Sequence, residues 1–351
     1  MMTTNLDKKA LVVGAGLAGM EAAIKIGQAG YEVYLVEKEN TMGGVTGQLF
    51  SSFPRWENPR ELVDNRIQTI NQIEKIRVLT TTTVQSARRE GEAFVVDLQK
   101  ADGQVEQVAA DAVVLATGFE LMDVSVYGEY GYGIYPNVVN SLEFEDKLRE
   151  WSAAGSKADR PKSIAFFKCV GSRDRSKGNP YCSKICCMYT AKQAGLTKDL
   201  LPEAKAYVFY MDYRAAGKEY EEFVRSVIET KHVRYVRGRP SKVLPENGRL
   251  VVRAEDTLMG VPIEVEVDMV VLASAIVPRE GTRVLAGMFG ALTDQYGFIE
   301  NVPFELRQTG NGVFFAGACG FAVETAGAQA QGAAAAADVV ALFNRVPQGV
   351  K

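Results

Sequence analysis

Four of the chain's five cysteines stand close together in the stretch FFKCVGSRDRSKGNPYCSKICCMY: Cys169, then Cys182, Cys186 and Cys187. Four thiols make a ligand set for a soft metal centre, either tetrahedral zinc or an iron–sulfur cluster. Cys186 and Cys187 are sequence neighbours, and adjacent side chains fit awkwardly on a single ion. A cubane offers four separate iron corners, so neighbouring thiolates can reach different irons. The spacing favours a [4Fe–4S] cluster on Cys169, Cys182, Cys186 and Cys187, with zinc and a redox disulfide pair as the alternatives. The chain has a single histidine, His232, which excludes a multi-histidine zinc or iron site. His232 lies in ETKHVRYV, away from any motif, and is read as structural. Cys319, alone in GACG, is read as a small buried apolar residue.

A second chemistry lies at the start of the chain. KALVVGAGLAGMEAAIKIGQAGYEVYLVEKE reads as strand, tight turn, helix and strand, with Gly14, Gly16 and Gly19 on G-x-G-x-x-G. The three glycines serve the turn, the close approach of backbone to a pyrophosphate, and close helix–strand packing. The pyrophosphate is expected on the helix N-terminus, where free N–H groups and the dipole favour an anion. Glu37, ending the second strand, is placed to accept from ribose hydroxyls and to repel a 2′-phosphate.

Three further segments bear on which dinucleotide is bound: the pair Gly43-Gly44, the strand DAVVLATGF, and NGVFFAGACG ahead of a long alanine-rich helix. Together they resemble the flavoproteins with two dinucleotide-binding domains, the thioredoxin reductase and glutathione reductase group. That resemblance implies FAD, held by Gly14, Ala15, Gly16, Gly19, Glu37, Lys38, Gly43, Gly44, Val84, Ala116, Thr117, Gly118, Gly317 and Ala318. One position departs from the group. Ala318 stands where an Asp usually holds the ribityl chain, so that contact must come from elsewhere.

The elements that position the cysteines repeat those that position the glycines. A glycine-turn unit, the strand RVLTTTTV, a meander and AVVLATG make up the first half. SIAFFKC, a helix, KAYVFYMD, VRYVRGRPSKV, a meander and MVVLASA make up the second. This is a duplicated architecture. In the second copy the strand runs into Cys169-Val170-Gly171-Ser172-Arg173 instead of a glycine fingerprint. The pocket expected for a nicotinamide dinucleotide is thus rebuilt around thiols.

The C-V-G-S-R and Y-C-S-x-x-C-C-M-Y strings, with the FAD segments, resemble the A-type flavoprotein of heterodisulfide reductase. In that family the matching cysteines hold a [4Fe–4S] cluster next to the FAD, and a lysine on the following helix approaches the flavin. Lys192 occupies that place and is the expected catalytic residue, an N5 neighbour. No ferredoxin-like C-x₂-C-x₂-C-x₃-C run is present, so the chain is similar to the short A-type subunits of sulfur-oxidising bacteria. The resemblance implies a relay of electrons between flavin, cluster and B- and C-type iron–sulfur partner subunits. Analogy with two-domain flavoproteins adds a homodimer. The competing expectations are a stand-alone NAD(P)H-dependent disulfide reductase and an FAD-binding scaffold with structural zinc.

Composition is that of an ordinary soluble globular protein, long enough for two domains. The 351 residues are 47% hydrophobic and 24% charged, with net charge −3, which points to neither nucleic acid nor anionic lipid. No apolar run is long enough for a membrane span, and Glu21 and Lys25 interrupt the N-terminal one, so a cytoplasmic location is expected. The expected fold is α/β with two Rossmann-like domains in a thioredoxin-reductase-like arrangement. The FAD domain is discontinuous, 1–125 and 285–351; 126–162 is a connector, with a polar linker at 149–162; 163–284 carries the cysteine site.

Overall fold

The computed structural model describes residues 7–154, 160–300, 308–310 and 312–345. The chain divides into two compact units, Met1–Gly47 with Arg60–Glu120 and Val277–Lys351, and Gln48–Pro59 with Leu121–Ile276.

The first unit is built on a six-stranded sheet. Its strands run in the order Gln308–Gly310, Val313–Phe315, Ala112–Leu115, Lys9–Val13, Glu32–Val36 and Ile76–Leu79. All neighbours are parallel except the edge pair Gln308–Gly310 and Val313–Phe315. Leu11, Val12, Val113 and Val114 are fully buried, as continuous apolar runs in a parallel sheet require. The helix Leu17–Gln28 packs with Thr325–Phe343 around one core, in which Gly332 lets the backbones close: a Cβ there would stand 2.3 Å from the Ala18 carbonyl oxygen. The antiparallel meander Thr82–Glu90, Ala93–Lys100 and Val105–Ala110 completes the unit.

The second unit repeats the plan. Its five-stranded parallel sheet runs Arg234–Arg237, Lys205–Tyr210, Ser163–Val170, Met269–Ser274, Val138–Asn140. An antiparallel meander follows, Lys242–Glu246, Arg249–Asp256 and Val261–Val267. The duplication extends to hydrogen bonds. Asp111 donates its N–H to the Lys9 carbonyl at 2.8 Å and its carboxylate accepts the Lys9 N–H at 2.9 Å. Asp268 does both for Ser163, at 2.9 Å each. In each unit an aspartate just ahead of one central strand ties down the first residue of its neighbour.

The stretch expected to be a connector, 126–162, is instead structural. Val138–Asn140 pairs with Val270–Leu272, and the helix Ser141–Ala154 buries Phe144, Leu148 and Trp151 in the second core. Of the polar linker 149–162, residues 155–159 lie outside the described residues. The excursion 48–59 also belongs to the second unit, where Trp56 packs on Phe223. The charge-rich stretch 212–231 contains the helix Tyr220–Glu229, with Phe223, Val224 and Val227 buried and Ile228 packed at the core's edge.

Candidate cofactor sites

In the first unit the glycine turn forms as its spacing requires. Gly14 has φ +105°, and a Cβ there would stand 2.3 Å from the Ala116 carbonyl oxygen. A Cβ on Gly19 would lie 1.9 Å from the carbonyl oxygen of Gly14, so the third glycine sets the strand–helix distance. Gly16 differs: a Cβ on it would meet nothing within 4 Å. Open space therefore lies over the helix start, where Gly16 is the N-cap, no side chain caps the turn and no acid occupies it. Uncapped N–H groups facing open space are the cradle that a pyrophosphate fills.

Glu37 closes the cradle from the second strand. Its buried carboxylate accepts the Ala15 N–H at 2.7 Å and the Glu39 N–H at 3.0 Å. Lys38 beside it is exposed, with its ammonium 3.8 Å from Glu39. Gly43 donates to the Ala15 carbonyl at 2.8 Å, and Gly44 at φ +54° lies against the Cα of Gly16. Ala116, Thr117 and Gly118 follow the strand Ala112–Leu115, and Thr117 shares a 3.2 Å hydroxyl contact with Thr282. Val84 sits at the register shift in its strand. Gly317 donates its N–H to Gln331 at 2.9 Å. Gln331, on the C-terminal helix, thus anchors the segment in which Ala318 replaces the expected acid; sequence reasoning missed it. Cys319 donates to the carbonyls of Leu115 and Ala316, and burial pushes its thiol up to about 11.

In the second unit the central strand ends in a bulge. Phe167 pairs with Leu272 and Val170 with Ser274, so Lys168 and Cys169 together stand opposite Ala273. Cys169 takes φ +59°, a strained conformation for a residue with a Cβ. Bulges re-aim side chains, and this one delivers Cys169 to the start of the helix Cys186–Leu200. There Cys169, Cys186 and Cys187 are buried in one cluster with Ala273, flanked by Tyr189 and Met211. Cys182 is half-buried and outside that apolar cluster; it shares the field of the Arg173 guanidinium with Cys169. All are free thiols.

The three buried thiols pack in one cluster and set one another's proton affinity. Cys186, between the other two, is raised well above the ordinary thiol range by its bonds to Cys169 and Cys187 and by burial. Cys169 is lowered by its bond to Cys186, with help from Lys168 and Arg173. Cys187 is brought down to about 5 by Cys186, the Lys168 charge and the Arg214 N–H, which donates to its sulfur at 3.3 Å. The loop back to Cys182 is pinned by Asp174, which accepts from Tyr127 at 2.7 Å and from the Ser176 N–H at 3.0 Å.

The donor set fits a soft, thiolate-bound centre: buried sulfurs, cations and a backbone donor around them. Among the described residues no group of three or more His, Cys, Asp or Glu side chains is arranged to hold a single metal ion.

Lys192 follows the cysteine pair and is buried, neither solvated nor free. Its ammonium donates to Glu145 at 2.7 Å and to the Ser51 carbonyl at 2.9 Å. Glu145 also accepts from Gln193 at 2.5 Å and from the Phe50 N–H at 2.9 Å. His232 is exposed, with φ +55°.

Residues 8–160 match the family described as Pyridine nucleotide-disulphide oxidoreductase. Over 95% of its length the chain is similar to the second A-type iron–sulfur subunit of CoB–CoM heterodisulfide reductase from Methanopyrus kandleri, at 31% identity, and covers 64% of that protein. The A-type iron–sulfur subunit of the Methanocaldococcus jannaschii enzyme is 28% identical over the same shares. The chain thus spans less than two-thirds of the length of these relatives, 64% of each. Among solved structures, T. acidophilum thioredoxin reductase superposes with a TM-score of 0.66 at 17% identity, covering 96% of this chain and 99% of that one. At that identity the likeness is one of fold.

Proposed function

We propose, because this chain is a homologue of the A-type subunits of heterodisulfide reductase, that it is an FAD-dependent oxidoreductase subunit that relays electrons in sulfur metabolism. The observation that carries the reading is the replacement of a nucleotide-binding turn by clustered thiols in the second of two matching units. On this reading Cys169, Cys182, Cys186 and Cys187 hold a [4Fe–4S] cluster. B- and C-type iron–sulfur subunits are the proposed partners, a homodimer the proposed assembly, and the cytoplasm the proposed location. Among the described residues no helix is long and apolar enough to cross a membrane.

When bound, FAD and cluster together supply the conversion between two-electron and one-electron transfer. The chain's own residues bind and orient. The first-turn N–H groups after Gly16 neutralise the pyrophosphate, and Glu37 faces the ribose hydroxyls. Cys169 and the Cys186–Cys187 pair supply thiolates from a strand end and a helix start, so the ligands sit on rigid elements. Cys182, at the edge of that cluster, would complete the ligand set. Lys192 is the proposed lysine that serves the flavin, with Glu145 as the group that fixes its ammonium.

The packing of the free thiols Cys169, Cys186 and Cys187 in one cluster favours a second reading, a dithiol centre that exchanges disulfides without metal. Anaerobic purification followed by iron, labile-sulfide, zinc and flavin analysis separates the readings. One flavin and one cubane per chain is the expected result. Zinc without iron overturns the cluster, and rapid bleaching of the flavin by NADH alone points to a stand-alone disulfide reductase.

A further inference from the structure

The bulge that turns Cys169 inward also buries the residue before it. Lys168 is 5% exposed, and a lysine is almost never buried without an anionic partner. Its ammonium donates to the Asp212 carbonyl at 3.3 Å and lies 5.4 Å and 5.9 Å from the ring centroids of Tyr210 and Tyr213. The Asp212 carboxylate does not serve it: Arg173 holds that group at 2.7 Å and Arg214 approaches it at 3.7 Å. Among the described residues Lys168 has no carboxylate partner. Lys192, the other buried lysine near the cysteine pair, is matched by Glu145 at 2.7 Å.

A carbonyl and two aromatic faces solvate an ammonium but do not cancel its charge. What remains within its reach is sulfur. Lys168 shares the bulge with Cys169, and its acceptor Asp212 stands two residues before Arg214, whose N–H donates to the Cys187 sulfur at 3.3 Å. We infer that Lys168 is the fixed counter-charge of the thiolate-held centre and sets its reduction potential.

This rests on the cluster reading above and assigns one residue of the chain a role within it. Four thiolates around a cubane carry net negative charge. Reduction adds one electron, makes or breaks no bond, and increases that charge. A buried cation at fixed distance favours the more negative state, and the dry surroundings screen it little. Arg173 contributes less, because Asp212 shares its charge.

The test is an anaerobic, dye-mediated potentiometric titration of the full chain with dithionite, followed by EPR, for wild type, Lys168→Gln and Lys168→Arg. Neutralising the charge in Lys168→Gln lowers the one-electron reduction equilibrium constant at least tenfold, about 59 mV for a one-electron couple. Lys168→Arg stays closer to wild type than to Lys168→Gln. Loss of iron from Lys168→Gln with retention in Lys168→Arg supports the same conclusion. A Lys168→Gln constant within twofold of wild type, or equal effects of both substitutions, overturns it. Wild-type protein without iron and sulfide refutes the cluster reading and this inference with it. An intact cluster with an unmoved potential refutes this inference alone.

Discussion

Replacing Glu145 by Gln removes the formal anion that, among the described residues, pairs with Lys192. The two side chains are 1% and 2% exposed, so neither charge is hydrated. In Glu145→Gln the ammonium keeps neutral acceptors alone, the Ser51 carbonyl and the new amide oxygen, and the Phe50 N–H loses a charged acceptor. Breaking a buried ion pair from one side costs about 3–5 kcal/mol. The second unit has roughly 170 residues, for which each kcal/mol moves the melting temperature by about 2–4 °C, so its transition falls by roughly 6–20 °C. Adding Lys192→Met removes the stranded charge, and the double variant recovers most of the loss. The double-mutant cycle then shows a coupling of about 2 kcal/mol or more. Thermal and urea unfolding followed by circular dichroism reads all four corners. A loss below about 1 kcal/mol in Glu145→Gln, or simple additivity, refutes the ion-pair argument. The same Lys192→Met protein decides the flavin role: an unchanged flavin potential rejects Lys192 as the catalytic lysine.

The glycines of the cradle separate binding from folding. Gly16→Val places its side chain in open space, so the fold persists while flavin retained after gel filtration falls at least tenfold. Gly19→Val drives a Cβ to 1.9 Å from the Gly14 carbonyl oxygen, and this protein loses stability together with flavin. Equal flavin content in Gly16→Val and wild type contradicts the pyrophosphate assignment. Burial raises the Asp268 carboxyl, but Arg249, the Lys162 N–H and the Ser163 hydroxyl outweigh it and hold the group below its ordinary value. A depressed folded-state value means the contribution is complete above pH ~4, where the unfolded side chain ionises, and is lost as pH falls through the folded value. Asp268→Asn therefore costs about 1–2 kcal/mol at pH 7, discounted for partial exposure. Its urea midpoint converges on that of wild type as pH falls through the folded-state value. A constant gap across that range contradicts the assignment.

Much of the fold is legible in the residues. The glycine fingerprint predicts the turn, the helix start and the strand–helix contact, because each depends on φ and Cβ clearance within a few positions. The repeated order of strands and meanders predicts two matching units, and the paired roles of Asp111 and Asp268 bear this out in detail. The spacing of Cys169, Cys182, Cys186 and Cys187 predicts a thiol site; Cys169, Cys186 and Cys187 meet in one buried cluster, and Cys182 lies outside it. Tyrosines and glycines in 123–139 hide a strand and lead to a helix, because the pairing partner of Val138 is Val270, far along the chain.

The local sequence determined where a dinucleotide phosphate and a set of thiols can be presented, since backbone conformation and side-chain type act over short spans. The tertiary structure alone decided which charges lose their water. Lys192 meets Ser51 across 141 positions and Glu145 across 47. Lys168 is buried by a register shift that no periodicity announces, while Cys182 stays at the edge of the thiol cluster. Burial and its compensation are sums over neighbours brought together by packing, so they emerge only when the whole sheet is in place.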